Sequence, residues 1–203
     1  MTIYKRDGVE LWVSKNRILA MTNSDSIPKD FEIPCCLPNG DKITAVSTAF
    51  CRGLFSKVSL PAEVSDIPEK AFYNAFIGEL VWPAACTKIP RECFYRGHVK
   101  KITNLSGVKE VGEEAFADSE IEEIAWPDEC HEIPEKCFFA CGSLRRVSNM
   151  HHVEFIRPFA FLDCLNIDKI DLTASLSCSI ARSAFVGVNE AKILMPYYAV
   201  ANS

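Results

Sequence analysis

One spacing governs what this chain can fold into. A phenylalanine preceded by a small residue recurs as Ala49-Phe50, Ala71-Phe72, Cys93-Phe94, Ala115-Phe116, Cys137-Phe138, Ala160-Phe161 and Ala184-Phe185. Successive phenylalanines stand 22, 22, 22, 22, 23 and 24 residues apart. Other positions keep the same period. Five residues before each phenylalanine from the second onward sits a branched apolar residue: Ile67, Ile89, Val111, Ile133, Ile156, Ile180. The first unit has Ala45 there and is a poorer copy. Eight or nine residues after each phenylalanine comes Val58, Leu80, Ile102, Ile124, Val147, Ile170 or Ile193. Two residues further on lie Leu60, Trp82, Asn104, Trp126, Asn149, Leu172 and Met195, and proline follows in four units.

The alternation around "VSLP", "LVWP" and "IAWP" has period two, which predicts a short strand ended by proline. "IPEKAF" predicts a tight turn or a single helical turn. A unit of about 22 residues cannot bury its apolar face alone, so units must stack and align their strands in a parallel sheet. Seven strands at about 4.8 Å span roughly 30 Å. The predicted fold is an α/β-type repeat solenoid, mostly β with short turns or helical turns.

Residues 41–196 hold the seven repeats. Residues 1–40 contain no copy of the unit. There "VELWV", "RILAM" and "DFEIP" predict three short strands with turns at "SKN" and "TNSDS", a β-rich cap over the first coil's open edge. Residues 197–203 form a C-terminal tail, and the apolar "PYYAVANS" over an open coil suggests a homodimer contact through the C-terminal edge, or a truncated boundary.

The stretches "FSKVSLPAEVSDIPEKAF", "IGELVWPAACTKIPRECF" and "IEEIAWPDECHEIPEKCF" resemble the BspA-type, or Treponema pallidum-type, leucine-rich repeat. Asn104 and Asn149 depart from its pattern, and no proline follows them. The resemblance implies a right-handed leucine-rich-repeat coil with a parallel sheet. It also implies non-enzymatic protein–protein recognition, adhesin- or effector-like, because the family is known for surface adhesion and host interaction in bacteria and protists.

The two residues just before each central strand residue are mostly charged: Ser56-Lys57, Gly78-Glu79, Lys100-Lys101, Glu122-Glu123, Arg145-Arg146, Asp168-Lys169 and Ala191-Lys192. Stacking puts Lys57, Glu79, Lys101, Glu123 and Arg146 in one row, and Lys100, Glu122, Arg145 and Asp168 in another. Opposite charges on adjacent strands favour this register. A face of mixed sign argues against nucleic acid, whose binders cluster one sign, and the net charge of −5 adds no general pull toward polyanions. It suits a protein partner recognised by charge complementarity. The candidate site is therefore the outward, concave strand face: Lys100, Lys101, Glu122, Glu123, Arg145, Arg146, Asp168 and Asp171.

Ten cysteines invite a chemical reading. Cys93 and Cys137 take the small slot beside the phenylalanine. Cys141 and Cys164 take the slot three after it, and Cys86 and Cys130 share a slot with Val64, Val108 and Val153. All six read as small core residues. Only Cys141 and Cys164 are close enough in the stack to pair. Cys35, Cys36 and Cys51 escape this logic and are expected to be more reactive. No flanking motif supports a catalytic nucleophile, and the four histidines lie outside metal-binding spacings, although "DECHEIPEKC" and His151-His152 leave a surface metal site open. No glycine-rich phosphate loop is present. No catalytic residue, metal or cofactor is predicted. A self-associating structural module and a cysteine-dependent enzyme are the alternatives.

No run reaches the length of a membrane span, so membrane insertion is not expected. If the chain is complete, the missing leader and the many thiols point to the cytoplasm. With a leader removed, the cell surface or secretion is the alternative.

Overall fold

A 22-residue coil leaves most of its backbone amides without partners of its own, so they must bond to the next coil. The computed structural model, which describes residues 1–23, 29–175 and 177–195, is built in this way. The strands are β1 (Thr2–Arg6), β2 (Val9–Ser14), β3 (Arg17–Asn23), β4 (Lys29–Glu32), β5 (Ala45–Val46) and β6 (Cys51–Arg52). The coils continue with β7 (Leu54–Ser59), β8 (Phe76–Val81), β9 (Lys88–Ile89), β10 (His98–Thr103), β11 (Glu110–Val111), β12 (Glu123–Ala125), β13 (Glu132–Ile133), β14 (Arg146–Ser148), β15 (Phe155–Ile156), β16 (Ile170–Asp171), β17 (Ser179–Ile180) and β18 (Ile193–Leu194). Helix among the described residues is confined to one 3-10 turn, Glu190–Lys192.

Each coil presents three ladders to its neighbours. The first is the parallel sheet β14-β12-β10-β8-β7-β4, carried on by an isolated bridge between Arg146 and Lys169 and then by β16 and β18. The second joins the short strands β9 with β11 and β13 with β15 and β17. The third runs through the phenylalanine corners: Phe72, Phe94, Phe116, Phe138 and Phe161 each donate N–H to a carbonyl of the following coil at 2.7 to 2.9 Å.

Those corners are not helical turns. The residue two before the phenylalanine (Lys70, Glu92, Glu114, Lys136, Phe159) and the residue two after it (Asn74, Arg96, Asp118, Ala140, Asp163) have φ between 52° and 60°. Left-handed residues on both sides of the phenylalanine rule out a continuous α-turn. In the last unit Gly187 fills the slot with φ 84°, and a Cβ there would meet Asp163 Oδ1 at 2.7 Å.

The corners aim the rings inward. From Phe72 to Phe185 successive rings stack with centroids 4.8 to 5.2 Å apart and planes within 16°. That spacing matches the strand separation, so the sheet sets the stacking distance. Phe50 meets Phe72 edge-on at 73°, consistent with the irregular first unit. Two rows from the strand face complete the core. One is the expected row from Val58 to Ile170. The other lies three residues earlier: Phe55, Ile77, Val99, Ile121, Leu144 and Ile167, all buried.

At the N-terminus β1, β2 and β3 form an antiparallel sheet, with β5 and β6 joining β3 in parallel. Val9, Leu11 and Val13 of β2 point into the core. Two expectations are corrected here. Thr2–Arg6 adds a strand that the sequence did not announce. The strand in "DFEIP" is no cap strand but the first rung of the parallel sheet, with Phe31 in register with Val58. Part of "TNSDS" and the segment from Pro196 on, including the expected C-terminal dimer contact, lie outside the described residues.

Asn104 and Asn149 are not failed apolar positions. Both are left-handed, with φ 64° and 63°, and each donates its side-chain amide to the carbonyl of the tryptophan one coil back, Trp82 at 2.7 Å and Trp126 at 2.8 Å. The buried place passes to Leu105 and Met150. Trp82 and Trp126 are themselves core residues whose Nε1–H donates to the carbonyls of Cys86 and Cys130.

Candidate functional site

The 22-residue period places residues i and i+22 side by side, so the outward row follows from the sheet register. Asp30 pairs with Lys57, Lys57 with Glu79, Glu79 with Lys101, Lys101 with Glu123 and Glu123 with Arg146. The sign alternates over six rungs, and Lys169 follows Arg146 through the isolated bridge. The second row is bonded through the backbone. Glu122 N–H donates to Lys100 O, Arg145 to Glu122 and Asp168 to Arg145, each at 2.9 Å. Both charged residues of each pair face out because Val99 and Ile102, three apart, both face in. The strand therefore bends between them.

Some charges are closed into pairs and others are not. Lys57 meets Glu79 at 2.9 Å, Lys100 meets Glu122 at 3.0 Å, and Lys169 meets Asp171, two residues on, at 2.8 Å. The hydrogen bond that Lys57 donates to Glu79 raises the Lys57 pKa and lowers that of Glu79. Glu122 raises the pKa of Lys100 in the same way. Hydrogen bonds from Lys169 and Thr173 hold the Asp171 carboxyl down at about 2. Among the described residues Lys101, Glu123, Arg145, Arg146 and Asp168 close no ion pair within 4 Å. Exposed pairs of this kind stabilise the fold little, so the open charges remain available to another molecule.

Beside the ladder the floor is small: Ser59, Val81, Thr103, Ala125 and Ser148. A shallow depression of about 290 Å³ lies there, between Lys101, Glu123 and Arg146 on one side and Asn104 on the other. All eight residues expected from the sequence lie on this face. Asp171 belongs to the row after the central strand residue rather than to the ladder. Sequence reading missed Asp30, the first rung, because Phe31 precedes Val58 by 27 residues and breaks the period. It also missed an outer row in which Phe76 stacks on His98 at 4.1 Å and His98 Nδ1 lies 2.8 Å from Glu120. The signal for that row was an exposed aromatic or polar residue four before each central strand residue.

The cysteines offer little chemistry. Cys86, Cys93, Cys130, Cys137, Cys141 and Cys164 are buried, as their slots imply. Burial pushes the thiols of Cys93 and Cys137 well up. Cys141 and Cys164 remain free thiols, and each donates to a phenylalanine carbonyl one coil back, Phe116 at 2.8 Å and Phe138 at 2.9 Å. Cys51 corrects the expectation of reactivity: it is buried in contact with the cap and its pKa is driven far up by desolvation. Cys35 and Cys36 are exposed, with Sγ atoms 3.7 Å apart. The bond from Cys35 raises the Cys36 pKa, which lowers its thiolate fraction. His131 and His152 turn their ring nitrogens to the carbonyls of His152 and Pro127 rather than to a shared point. Among the described residues no three His, Cys, Asp or Glu side chains gather as a metal site, and no helix is long and apolar enough to cross a membrane.

Comparison with known proteins agrees with this geometry. The family model described as the BspA type leucine rich repeat region matches residues 65–192 in six copies. A leucine-rich repeat protein from Bacteroides ovatus aligns over 95% of this chain at 19% identity with a TM-score of 0.71. This chain covers 53% of that protein, about half its length. The T. pallidum leucine-rich repeat protein aligns over 94% of this chain and 92% of its own, at 16% identity and a TM-score of 0.64. At such identities the likeness is one of fold. No curated protein matches the sequence.

Proposed function

The chain belongs to the BspA-type leucine-rich repeat family, and we propose that it is a non-enzymatic recognition module whose strand face binds a protein through its charge ladder. The family and its fold are generally non-enzymatic. The observation that carries the reading is the alternating row from Asp30 to Arg146, held at fixed spacing by the sheet register, with Glu123 and Arg146 left without ion-pair partners among the described residues. A rigid row of this kind costs little ordering entropy on binding, and it selects a partner of matching charge order. An adhesin-like role follows if the partner lies on a surface.

The test begins with a pull-down and mass spectrometry from the native source. Binding of the recovered partner is then measured by calorimetry for wild type and for Glu122→Lys/Glu123→Lys. The double reversal is expected to weaken binding by about tenfold or more, with an unchanged circular dichroism spectrum. A verified partner that binds the folded variant as well as wild type removes the strand face from the account.

A further inference from the structure

The ladder has a property that a ladder of odd length would lack. Numbered along the stack, its six rungs read Asp30, Lys57, Glu79, Lys101, Glu123, Arg146, that is, minus, plus, minus, plus, minus, plus. An alternating row with an even number of rungs becomes its own complement when reversed. The first rung then meets the sixth, the second the fifth and the third the fourth, and every meeting joins opposite signs.

We propose that the strand face docks a second copy of this chain about a two-fold axis running along the strands, between β8 and β10. The proposal rests on reading this face as a recognition surface and names its occupant. Two sheets laid face to face can be related by a two-fold axis in their common plane in two ways. An axis along the stack sets each rung over its own copy, giving six like-charge contacts. An axis along the strands reverses the stack and keeps the row facing the row. Asp30 then faces the partner subunit's Arg146, Lys57 faces the partner subunit's Glu123, and Glu79 faces the partner subunit's Lys101. The pitch agrees at every rung because both surfaces are the same sheet, at about 4.8 Å per strand. An extended peptide, at about 3.3 Å per residue, drifts out of step with it.

The floor row fits the same operator, and the second charged row leaves one like-charge meeting at each end, Arg145 over the partner's Lys29. Val81 faces the partner's Thr103, and Ser59 faces the partner's Ala125, so the floor is small enough for close approach. Lys100 and Glu122 face the partner's Gly78 and the partner's Ser56, which carry no charge. Lys169, already paired with Asp171, overhangs the end. The interface is isologous, as a two-fold contact must be.

Sedimentation velocity and zero-length carbodiimide cross-linking test this on the full chain. Wild type is expected to dimerise at low salt, with a dissociation constant rising about tenfold or more from about 0.05 to 0.5 M salt as the charges are screened. The cross-linked dimer should yield a Lys57–Glu123 peptide. Within one chain these residues stand three rungs, about 14 Å, apart, so that link can form only between copies. Glu79→Lys makes all four charges at the centre positive, and Lys101→Glu makes all four negative. Each variant alone should be monomeric, and an equimolar mixture should form a heterodimer. A wild type that stays monomeric at high micromolar concentration overturns the proposal, as does a dimer that persists in both variants. Should either variant fail to fold by circular dichroism, the wild-type Lys57–Glu123 link decides by its presence or absence. A monomer whose foreign partner is still lost on reversal of Glu122 and Glu123 sinks the self-docking and leaves the recognition reading in place.

Discussion

Truncating Phe94 to alanine strikes the middle of the spine. The ring is buried, stacks on Phe72 at 4.8 Å and on Phe116 at 5.1 Å, and lies 5.9 Å from Trp82. Deleting a buried phenylalanine side chain costs about 3–5 kcal/mol. Each aromatic pair lost adds roughly 0.5–1.5 kcal/mol beyond the area term. Two stacked neighbours and a tryptophan put Phe94→Ala at the top of the range, about 5 kcal/mol. The cavity is also shared by two coil interfaces, and a solenoid's cooperativity passes through such interfaces. Phe185 provides the internal comparison. It is only partly buried and, among the described residues, has one ring neighbour, Phe161 at 5.2 Å. Phe185→Ala should cost about 1–3 kcal/mol. Urea denaturation followed by circular dichroism, with linear extrapolation, measures both. Phe94→Ala should lower the midpoint much further, or split the transition. If Phe94→Ala costs no more than Phe185→Ala, the stacked spine is not what couples the coils.

Three further outcomes follow from single residues. Asn104→Gly keeps the left-handed backbone and loses only the bond to the Trp82 carbonyl, about 1 kcal/mol, whereas Asn104→Ala adds the left-handed penalty and should cost about 2 kcal/mol in the same melts. Cys93 fills a slot that alanine holds in neighbouring coils, so Cys93→Ala should cost under about 1 kcal/mol and Cys93→Ser, which buries a hydroxyl, about 2 kcal/mol. The Asp171 carboxyl, held at about 2 against an ordinary 3.8, contributes stability that is full above the ordinary value and is lost as pH falls toward 2. Carboxyl NMR titration should show Lys169→Ala moving it back up.

The period of the phenylalanines made the coil, the spine and the register readable, because a residue and its counterpart one unit on become neighbours whatever lies between them. The six core cysteines were readable for the same reason: their slots are occupied elsewhere by alanine, glycine or valine. What the period does not carry was missed. The inner row from Phe55 to Ile167 precedes the central row by three residues, a spacing foreign to the period-two strand, and it arises because the strand bends at the paired charges. Asn104 and Asn149 looked like lost apolar positions, because a left-handed residue that caps the previous coil leaves no mark in hydropathy. Cys51 looked reactive because the first unit is irregular and its position falls outside the recurring slots, and β4 looked like cap because a longer first loop delays the next rung. Charge order could be read on the strand face, but which charges stay unpaired depends on side-chain reach across the sheet.

Carboxyl footprinting with glycine ethyl ester, read by mass spectrometry with and without the bound protein, tests the central claim most directly. The account predicts that Glu79 and Glu123 on the strand face become protected while Glu110 and Glu129, away from that face, label as before. Protection of Glu110 and Glu129 with Glu79 and Glu123 unchanged would place recognition on another side of the coil and contradict it.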